Sequence, residues 1–373
     1  MDIGTGTSRI GIAGAGAIAF GSAALLHRNG HDPMLWSPSS AGTAALAEGA
    51  PLTASGAIEA EFAPRIADSA ATLAAENDAI LIALPGYGHK AVMDALVPHL
   101  RNGQHVIVSS HASLGAIYLL QALAARGVTL PVTAWGTTAV TGRKSSATEV
   151  RVNTVRSQVD LCTVPDARAD CGLAVCTRLF GDRFRTRDGL LAISLSNLNP
   201  QNHMGIALAN MTRMERGETW SQGQNVTPNV GRLLEALDAE RLAIAEALGL
   251  EVRTIFEHFH LSFHVPVASI SEMNQQMHAA GNGGTGPATA DSRYVTEDVP
   301  YGLALTVALG ELTGRPAVLH DAGIRIFSAM YGRDFRSEND LLAALDLGRA
   351  SLDDLRQAAR TGLLHGAPAS AAS

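Results

Sequence analysis

The sequence has few charged residues, few cysteines and no long apolar segment, and each shortage argues against a class of protein. Charged residues make up 17% of the 373 residues and apolar residues 46%, with a net charge of −7. This balance is typical of a folded globular enzyme and not of a disordered chain. Lysines and arginines form no basic stripe, so we expect no nucleic-acid partner. No apolar run reaches the roughly 20 residues of a membrane-spanning helix, so we expect no membrane partner.

The cysteines and the first residues bear on localisation. Cys162, Cys171 and Cys176 are an odd number of cysteines and lack the spacing of a zinc site. We expect these thiols to stay reduced, as they do in the cytoplasm. Residues 1–8 contain no basic segment of the kind that begins a secretory signal. We therefore expect a cytoplasmic protein, long enough for about two or three domains.

One stretch near the start combines an apolar run with closely spaced small residues. Ile10–Ala13 suits a buried strand, and Gly14, Gly16 and Ala19 then give the spacing G-x-G-x-x-A before a helix-like run. In this pattern the first glycine permits a tight turn, the second lets a pyrophosphate approach the backbone, and the alanine lets the helix pack on the strand. The context favours a dinucleotide-binding turn over an ordinary strand–turn–helix corner. The predicted cofactor-binding residues here are Gly14, Ala15, Gly16, Ala17 and Ile18.

The end of the second predicted strand bears on which dinucleotide binds. That strand, Pro33–Trp36, is followed by Ser37-Pro38-Ser39-Ser40, and no acidic residue occurs between Met34 and Ala47. An NAD-specific site usually places a carboxylate here to bind the ribose 2′-hydroxyl. Ser37 and Ser39 are therefore candidates to bind the 2′-phosphate of NADP, with Arg28 as the nearest cation, and NAD stays open. The alternative interpretation is a plain polar loop.

Apolar strands alternate with helical segments over the first half of the chain. The runs 78–84 and 103–109 read as buried parallel strands, and helical patterns follow each of them. Leu84, Pro85 and Gly86 end the first of these runs and are predicted to turn beneath the cofactor. Two β-rich segments, 149–155 and 158–164, are predicted to extend the same sheet. The alternation predicts an α/β, doubly wound Rossmann-type domain over residues 1–187.

Strand patterns fade after residue 187, and helical patterns replace them. Helices are predicted near 228–248, 269–280, 301–312 and 317–331. We therefore expect an all-helical C-terminal domain over 188–365, a frayed tail over 366–373, and a ligand cleft between the two domains. The segment 281–290 (GNGGTGPATA) reads either as a lid or as a surface connection.

Two segments of the helical half are richer in chemistry than core packing requires. The first, SNLNPQNHM (196–204), has Asn199 as a predicted N-cap and places His203 in the opening turn of a helix. The second, EDVPYG (297–302), carries acids before another helix. A carboxylate beside His203 would fix its tautomer and stabilise its protonated form. Spacing alone leaves open that His203 is a structural histidine.

These segments resemble the opine dehydrogenase family, the group of octopine and nopaline dehydrogenases. SNLNPQNHMG resembles the family's N-x-N…H-P segment, and YVTEDVPYGL (294–303) resembles its R-Y-x-x-E-D-V-P-Y-G-L segment. The resemblance continues at Pro85…His89, at Gly332…Asp334-Phe335 and at Gly348-Arg349. Three places depart from the family pattern: Met204 replaces a proline, 110–112 replaces Pro-Gly, and 137–143 replaces L-P-Y-x-x-R.

The resemblance implies a fold, a reaction and a catalytic pair. Family members have a nucleotide-binding domain followed by a helical domain, and they join an amino acid to a 2-oxo acid and reduce the imine with NADH or NADPH. By the matched motifs, His203 and Asp298 would be the catalytic residues. Anionic substrates call for a carboxylate-binding arginine, for which Arg143 and Arg325 are candidates beside Asn202 as a further substrate-binding residue. Both arginines can equally be surface residues.

Two rival functions, a metal site and the oligomeric state complete the predictions. A hydroxyacid dehydrogenase related to ketopantoate reductase would use a lysine at the start of the corresponding helix, and 196–204 has none. A non-catalytic nucleotide sensor would not need both His203 and Asp298. The histidines of HFHLSFH (258–264) suggest a metal site, but hydride transfer needs no metal, and we expect none. We expect small-molecule substrates only and a homodimer.

Overall fold

The computed structural model describes residues 7–364, which form two compact units. The first unit runs to Ser194 and includes the chain after Leu352, and the second is Leu195–Leu352. The predicted boundary after residue 187 therefore lies too early, because Leu190 and Ile193 are buried in the first unit. The predicted helical domain also ends too late, since Arg360 near the C-terminus pairs with Asp166. The predicted tail, 366–373, lies outside the described residues.

The first unit is an α/β structure whose strands and helices alternate as predicted. Its strands are β1 (Arg9–Ala13), β2 (Asp32–Trp36), β3 (Leu52–Gly56), β4 (Ala60–Phe62), β5 (Arg65–Ile66), β6 (Ala79–Ile82), β7 (His105–Val108), β8 (Val132–Trp135), β9 (Val140–Lys144), β10 (Glu149–Val155), β11 (Val159–Val164) and β12 (Phe184–Thr186). Its helices begin with α1 (Ala17–Arg28), α2 (Ala44–Ala47), α3 (Ala70–Glu76), α4 (His89–Leu96), α5 (Gly115–Ala124), α6 (Ala169–Phe180) and α7 (Gly189–Leu195).

The main sheet has the strand order β12-β11-β8-β7-β6-β1-β2-β5. Strand β1 pairs in parallel with β2 on one side and β6 on the other. The chain leaves β1 toward β2 and later returns to the opposite side at β6, so the order reverses at β1. Ligands of doubly wound sheets bind at such a reversal, beyond the carboxyl ends of the strands. The predicted doubly wound domain is confirmed, and its glycine turn lies at this position.

A second sheet, with the order β4-β3-β10-β9, packs against α1. The prediction that 149–155 extends the main sheet is wrong, because β10 pairs with β9 and β3. Its Val150 and Val152 are buried while Glu149 and Arg151 are exposed, and Val152 approaches Gly21 of α1. A strand with one exposed face does not suit a parallel sheet covered on both faces. The prediction that 158–164 extends the main sheet is confirmed, since β11 lies in that sheet.

The second unit is helical, as predicted. Its helices are α8 (Asn199–Glu215), α9 (Pro228–Leu248), α10 (Ile255–Phe263), α11 (Ile270–Ala279), α12 (Arg293–Thr296), α13 (Ala304–Thr313), α14 (Val318–Tyr331) and α15 (Asp340–Leu345), with a π-helix at Val299–Leu303. The last helix, α16 (Leu352–Thr361), belongs almost wholly to the first unit. None of the helices within residues 7–364 has the length and hydropathy of a membrane-spanning segment.

A buried ion pair within α9 also binds a side chain of α8. Asp238 and Arg241 are each 2% exposed, and the carboxylate accepts two hydrogen bonds from the guanidinium. The same carboxylate accepts hydrogen bonds from the Gln201 amide on α8 at 2.9 Å and from the Ile255 backbone at 2.8 Å. The apolar pattern of α9 gave no sign of this network. It fixes the start of α8, which carries His203.

Replacing Asp238 with alanine should lower the free energy of unfolding by about 3–5 kcal/mol. Removal of one partner leaves the Arg241 guanidinium buried without its counter-charge, which costs far more than loss of an exposed pair. Urea unfolding monitored by circular dichroism measures the change. Asp353→Ala is the matched control, because Asp353 is 92% exposed beside Arg356 and its loss should cost about 0–1 kcal/mol. Equal losses of unfolding free energy in the two variants would contradict the stabilising role of the buried Asp238–Arg241 pair.

Candidate active site

The turn after β1 has the geometry that the glycine motif predicts. Gly14 has a φ of 140°, and a Cβ there would lie 2.4 Å from the carbonyl oxygen of Ala83, so only glycine fits. A Cβ on Gly16 would meet nothing within 4 Å, which leaves open space in front of the backbone. Ala19 is fully buried beneath the turn. Helix α1 starts after Gly16 with no side-chain cap and no acid in its first turn. These features fit a bound pyrophosphate.

The loop after β2 packs against this turn. Ser37 follows the strand directly, and its hydroxyl lies 3.3 Å from that of Ser39. A Cβ on Gly42 would lie 2.6 Å from the Cβ of Ala15 and 3.0 Å from the Ser37 hydroxyl oxygen. The structure therefore brings together the predicted residues of the glycine turn and of the serine loop. The Arg28 guanidinium instead donates a hydrogen bond to the carbonyl of Ala57 at 3.4 Å.

The loop after β6 adjoins the same turn. The backbone N–H of Ala83 donates to the carbonyl of Ala13 at 2.9 Å, and the predicted residues Leu84, Pro85 and Gly86 follow. His89 is fully buried, and its Nε2 donates a hydrogen bond to the carbonyl of Leu84 at 2.9 Å. Burial lowers the pKa of His89 to about 4, so its ring is neutral near pH 7. The histidine thereby holds this loop in a fixed shape.

The loop after β7 is strained. Ser110, Ser113 and Leu114 have φ values of 59°, 50° and 57°, a region that non-glycine residues rarely adopt. The ring of His111 stabilises the loop by accepting a hydrogen bond from the Ala116 backbone N–H at 3.1 Å. Burial lowers the pKa of His111 to about 3, so this ring is also neutral. Strained segments of this kind cluster at functional sites.

In the second unit, His203 lies in the second turn of α8. The predicted N-cap, Asn199, is wrong by one position: Leu198 is the N-cap, and the Asn197 side chain accepts the hydrogen bond of the Asn199 backbone N–H at 3.1 Å. The structure thus uses an asparagine two residues earlier as the acceptor. Met204, which stands where the family has proline, is 1% exposed and packs against Gly323 of α14.

His203 and Asp298 form a hydrogen-bonded pair. The imidazole Nδ1 lies 2.7 Å from the Asp298 Oδ2, and the two side chains are 13% and 8% exposed. Because a carboxylate only accepts, Nδ1 carries the hydrogen of this bond, and the neutral form of the ring then has its lone pair on Nε2. No hydrogen bond engages Nε2 within the described residues. Asp298 precedes the π-helix but makes no cap with its side chain, so its carboxylate serves the histidine.

Tyr294 completes this cluster and was not selected from the sequence. Its ring stacks on His203 with centroids 3.5 Å apart and planes within 9°. Its hydroxyl donates a hydrogen bond to the Gln222 side chain at 2.6 Å. Burial raises the pKa of the Tyr294 phenol, so it stays protonated. The available signals are its match to the tyrosine of the family segment and its position four residues before Asp298. In the structure, α12 and the start of the π-helix pack against α8.

Gly302 lets the π-helix approach α8 closely enough for this pair. A Cβ on Gly302 would lie 2.3 Å from the ring of Pro200, three residues before His203. Gly302→Ala should lower the free energy of unfolding by about 1–3 kcal/mol and also reduce turnover, because a proline ring cannot turn aside. Urea unfolding and steady-state kinetics measure both effects. Gly348→Ala is the control, since a Cβ there meets nothing within 4 Å. Unchanged turnover in Gly302→Ala would refute this role.

The three predicted substrate-binding residues differ in their surroundings. The Oδ1 of Asn202 is buried without a hydrogen-bond partner in the described chain. Arg143 lies on β9 with an exposed side chain. The side chain of Arg325 is 74% exposed and pairs with Asp321 at 2.7 Å. Asn202, the residue before His203, therefore has a buried acceptor without a hydrogen-bond donor in the described chain.

Two other sequence features have structural explanations. Segment 281–290 is pinned rather than free, since the Trp220 indole donates to the Pro287 carbonyl and Tyr331 donates to the carbonyl of Ala290. This favours the surface connection over the lid. In HFHLSFH, the ring of His260 bonds the carbonyl of Val265 at 2.8 Å. Among residues 7–364, no group of three or more His, Cys, Asp or Glu side chains could hold a metal ion.

A dinucleotide turn at the reversal point of a doubly wound sheet, together with a buried histidine–aspartate pair, defines a nicotinamide-dependent oxidoreductase. Comparisons with known proteins agree with this class. Residues 186–331 match the alpha-helical domain of NAD/NADP octopine/nopaline dehydrogenases, and residues 10–161 match ketopantoate reductase PanE/ApbA. An opine dehydrogenase of Arthrobacter sp. (strain 1C) is 30% identical over 287 residues, which cover 76% of this chain and 79% of that protein.

Solved structures with the same fold include an octopine dehydrogenase and a yersinopine dehydrogenase. Octopine dehydrogenase with NADH and L-arginine superimposes with a TM-score of 0.79 at 15% identity, covering 94% of this chain and 98% of the other. Yersinopine dehydrogenase with bound NADP⁺ gives a TM-score of 0.66 at 16% identity, covering 91% and 97%. The chain belongs to the opine dehydrogenase family, as the sequence motifs predicted, and is an NAD(P)H-dependent oxidoreductase that acts on CH–NH bonds.

Proposed function

We propose that this opine dehydrogenase uses His203 as its acid–base residue and Asp298 as the partner that orients it. The observation that carries the proposal is the 2.7 Å contact between the imidazole Nδ1 and the Asp298 carboxylate. This contact leaves the Nε2 lone pair available, and the carboxylate faces the positive charge that the ring gains when Nε2 takes a proton. A histidine held in this way can accept a proton at one ring nitrogen and return it from the same nitrogen.

Imine formation from an amino acid and a 2-oxo acid requires both proton transfers. The amine must lose a proton to attack the carbonyl carbon, and the carbinolamine hydroxyl must gain one to leave as water. His203 accepts the first proton at Nε2 and returns it to the departing hydroxyl. When bound, the reduced nicotinamide cofactor supplies the hydride that reduces the imine carbon. Asp298 stabilises the charged imidazole between the two transfers, and Tyr294 limits the ring to one orientation by stacking.

We also propose Asn202 as a residue that positions the amine. Its unpaired Oδ1 is an acceptor, and an amine or ammonium is a donor. For the carboxylates of the substrates we retain Arg143 and Arg325, of which Arg325 would first have to give up its ion pair with Asp321. The structures of octopine dehydrogenase hold L-arginine, agmatine or pyruvate. Pyruvate is therefore the first 2-oxo acid to test, and basic amino acids are the first donors.

The experiment compares cofactor oxidation with and without an amine. NADPH oxidation with pyruvate or 2-oxoglutarate should be slow alone and should accelerate when the correct amino acid from a panel is added. Ketone reduction is the competing function, since residues 10–161 match a ketopantoate reductase model. It predicts a rate that no amine changes. A protein that binds NADPH but oxidises none under any condition would instead be a sensor.

We further propose that NADPH is preferred over NADH. Support comes from the serine loop after β2, where Ser37 and Ser39 offer hydroxyl donors and no carboxylate repels a 2′-phosphate. The kcat/KM for NADPH should exceed that for NADH, and Ser37→Asp should reverse the order by placing a negative charge beside the ribose. Steady-state kinetics with both cofactors decide the matter. Faster and tighter use of NADH by the unsubstituted enzyme would refute the preference.

A homodimer in the cytoplasm remains part of the proposal. Cys162, Cys171 and Cys176 are free thiols in the structure, in agreement with a reducing compartment. Size-exclusion chromatography with light scattering tests the homodimer, for which the expected mass is twice the 38.8 kDa of one chain.

A further inference from the structure

One cation enters the dinucleotide site from a distant part of the sequence. Lys144 is the last residue of β9 in the second sheet, and its Nζ donates a hydrogen bond to the carbonyl oxygen of Ala15 at 3.1 Å. The same Nζ lies 3.5 Å from the carbonyl oxygen of Gly42. Ala15 belongs to the glycine turn, and Gly42 belongs to the loop after β2. The ammonium group therefore bridges the two loops that, in a doubly wound sheet, surround the adenosine ribose and the phosphates.

The charge of Lys144 has no protein counter-charge. Over residues 7–364, no carboxylate lies within ion-pair distance of its Nζ. Besides the two carbonyl oxygens, its neighbour is the ring of Phe20, 4.2 Å from Nζ to the centroid. Partial burial lowers the pKa of this ammonium. Two carbonyl dipoles and an aromatic ring stabilise the ammonium charge less than an anion would, because an anion makes a charge-assisted hydrogen bond with it. A half-buried cation without a counter-charge, placed against a phosphate-binding turn, is the arrangement expected before an anion binds.

The position of the ammonium favours the 2′-phosphate as that anion. Gly42 packs between Ala15 and Ser37, so Lys144 reaches the same loop as the two hydroxyls that follow β2. That loop faces the ribose 2′-position in dinucleotide-binding sheets. The other nearby cation, Arg28, turns away to the carbonyl of Ala57. Lys144 thus supplies the positive charge that the sequence around Ser37 lacks.

We propose that Lys144 binds the 2′-phosphate of NADPH, together with Ser37 and Ser39, and so determines cofactor specificity. This inference rests on the proposed preference for NADPH. The second sheet then has a function, because it places the side chain of Lys144 beside the glycine turn that begins at Gly14. NADH has no phosphate at that position, so it should be insensitive to the charge of Lys144.

The test measures cofactor affinity without turnover. Dissociation constants of NADPH and NADH are obtained by fluorescence titration, and those of adenosine 2′,5′-bisphosphate, which lacks the pyrophosphate, by displacement. Lys144→Gln removes the charge but keeps an N–H donor for the Ala15 carbonyl, and Lys144→Arg keeps the charge. Lys144→Gln should lower the affinity for NADPH and for the bisphosphate by about 10- to 100-fold and the affinity for NADH by less than about threefold. Lys144→Arg should retain most of the affinity. Arg151→Met, an exposed cation on β10, is the matched control and should change neither.

The outcomes separate this inference from the cofactor preference. If Lys144→Gln weakens the binding of NADPH and NADH equally, the lysine binds the pyrophosphate and the proposal is overturned. An unchanged affinity for NADPH in a folded Lys144→Gln variant would also overturn it. If the unsubstituted enzyme prefers NADPH but ignores the substitution, the Lys144 site fails and the preference stands. If it binds both dinucleotides equally while the substitution still weakens the binding of NADPH and the bisphosphate but not of NADH, the preference fails and the contact of Lys144 with the 2′-phosphate stands. If Lys144→Gln does not fold, the affinities of NADPH and NADH are compared in Lys144→Arg instead. A larger loss of affinity for NADH than for NADPH in that variant would overturn the proposal.

Discussion

Replacing His203 with alanine should lower kcat by about 100- to 10,000-fold while NADPH still binds. A side chain that transfers protons in the rate-limiting step contributes this much, and the glycine turn proposed to bind the dinucleotide belongs to the other unit. Steady-state kinetics at saturating substrates measure the loss, and fluorescence titration measures cofactor binding. His260→Ala is the control, because His260 is an exposed histidine of α10 outside the cluster. Near-normal turnover of His203→Ala would remove His203 from the mechanism.

Replacing Asp298 with asparagine should cause a loss of similar size, about 100- to 10,000-fold in kcat/KM, with little change in fold. The amide has nearly the shape of the carboxylate, but its NH₂ group can donate to Nδ1 and so move the imidazole hydrogen to Nε2. The neutral ring then presents a donor where the reaction needs an acceptor. Asp291→Asn, at an exposed position of the same unit, is the control.

The two substitutions should not be additive. Because His203 and Asp298 act as one unit, the double variant should lose little more than His203→Ala alone. Additive losses would show that the two residues act in separate steps and that their 2.7 Å contact is incidental.

The parts of the fold that the sequence predicted are those that depend on neighbouring residues. The turn at Gly14 follows from local geometry, because a positive φ and the nearby Ala83 carbonyl admit only glycine. The C-terminal end of α9 is equally local, since Gly249 adopts a φ of 74°. Buried parallel strands such as β6 and β7 are recognisable because both faces are covered, so their sequences are apolar throughout.

Apart from the N-cap of α8, which differs by one residue, the errors and omissions involve distant parts of the chain. The sequence predicts the wrong sheet for β10, because the pairing of this strand with β3, almost 100 residues earlier, leaves no local pattern. The unit boundary shifted because α7 packs on the first unit, which its own apolar residues cannot indicate. Lys144 reaches Ala15 only after the second sheet forms. For pairing His203 with Asp298, 95 residues apart, composition and spacing were insufficient, and the family resemblance supplied the link.

The site shows the same division. Helical spacing places His203 near the start of α8, but the stacking of Tyr294 on its ring depends on how α12 packs against α8. Likewise, the Asp238–Arg241 pair that anchors α8 appears in the sequence only as two polar residues of an amphipathic helix. Tertiary packing decides such contacts, and no local propensity encodes them.

The most direct test of the account is the structure of the product made from isotope-labelled reactants. The enzyme is incubated with pyruvate, a ¹⁵N-labelled amino acid that accelerates the reaction, and NADPH carrying deuterium at the transferable position of its nicotinamide C4. Reductive condensation predicts one product in which the ¹⁵N bridges both carbon skeletons and the former carbonyl carbon bears the deuterium, and His203→Ala should make it at least about 100-fold more slowly. Deuterated lactate as the sole labelled product, formed at a rate that the amino acid does not change, would contradict the account.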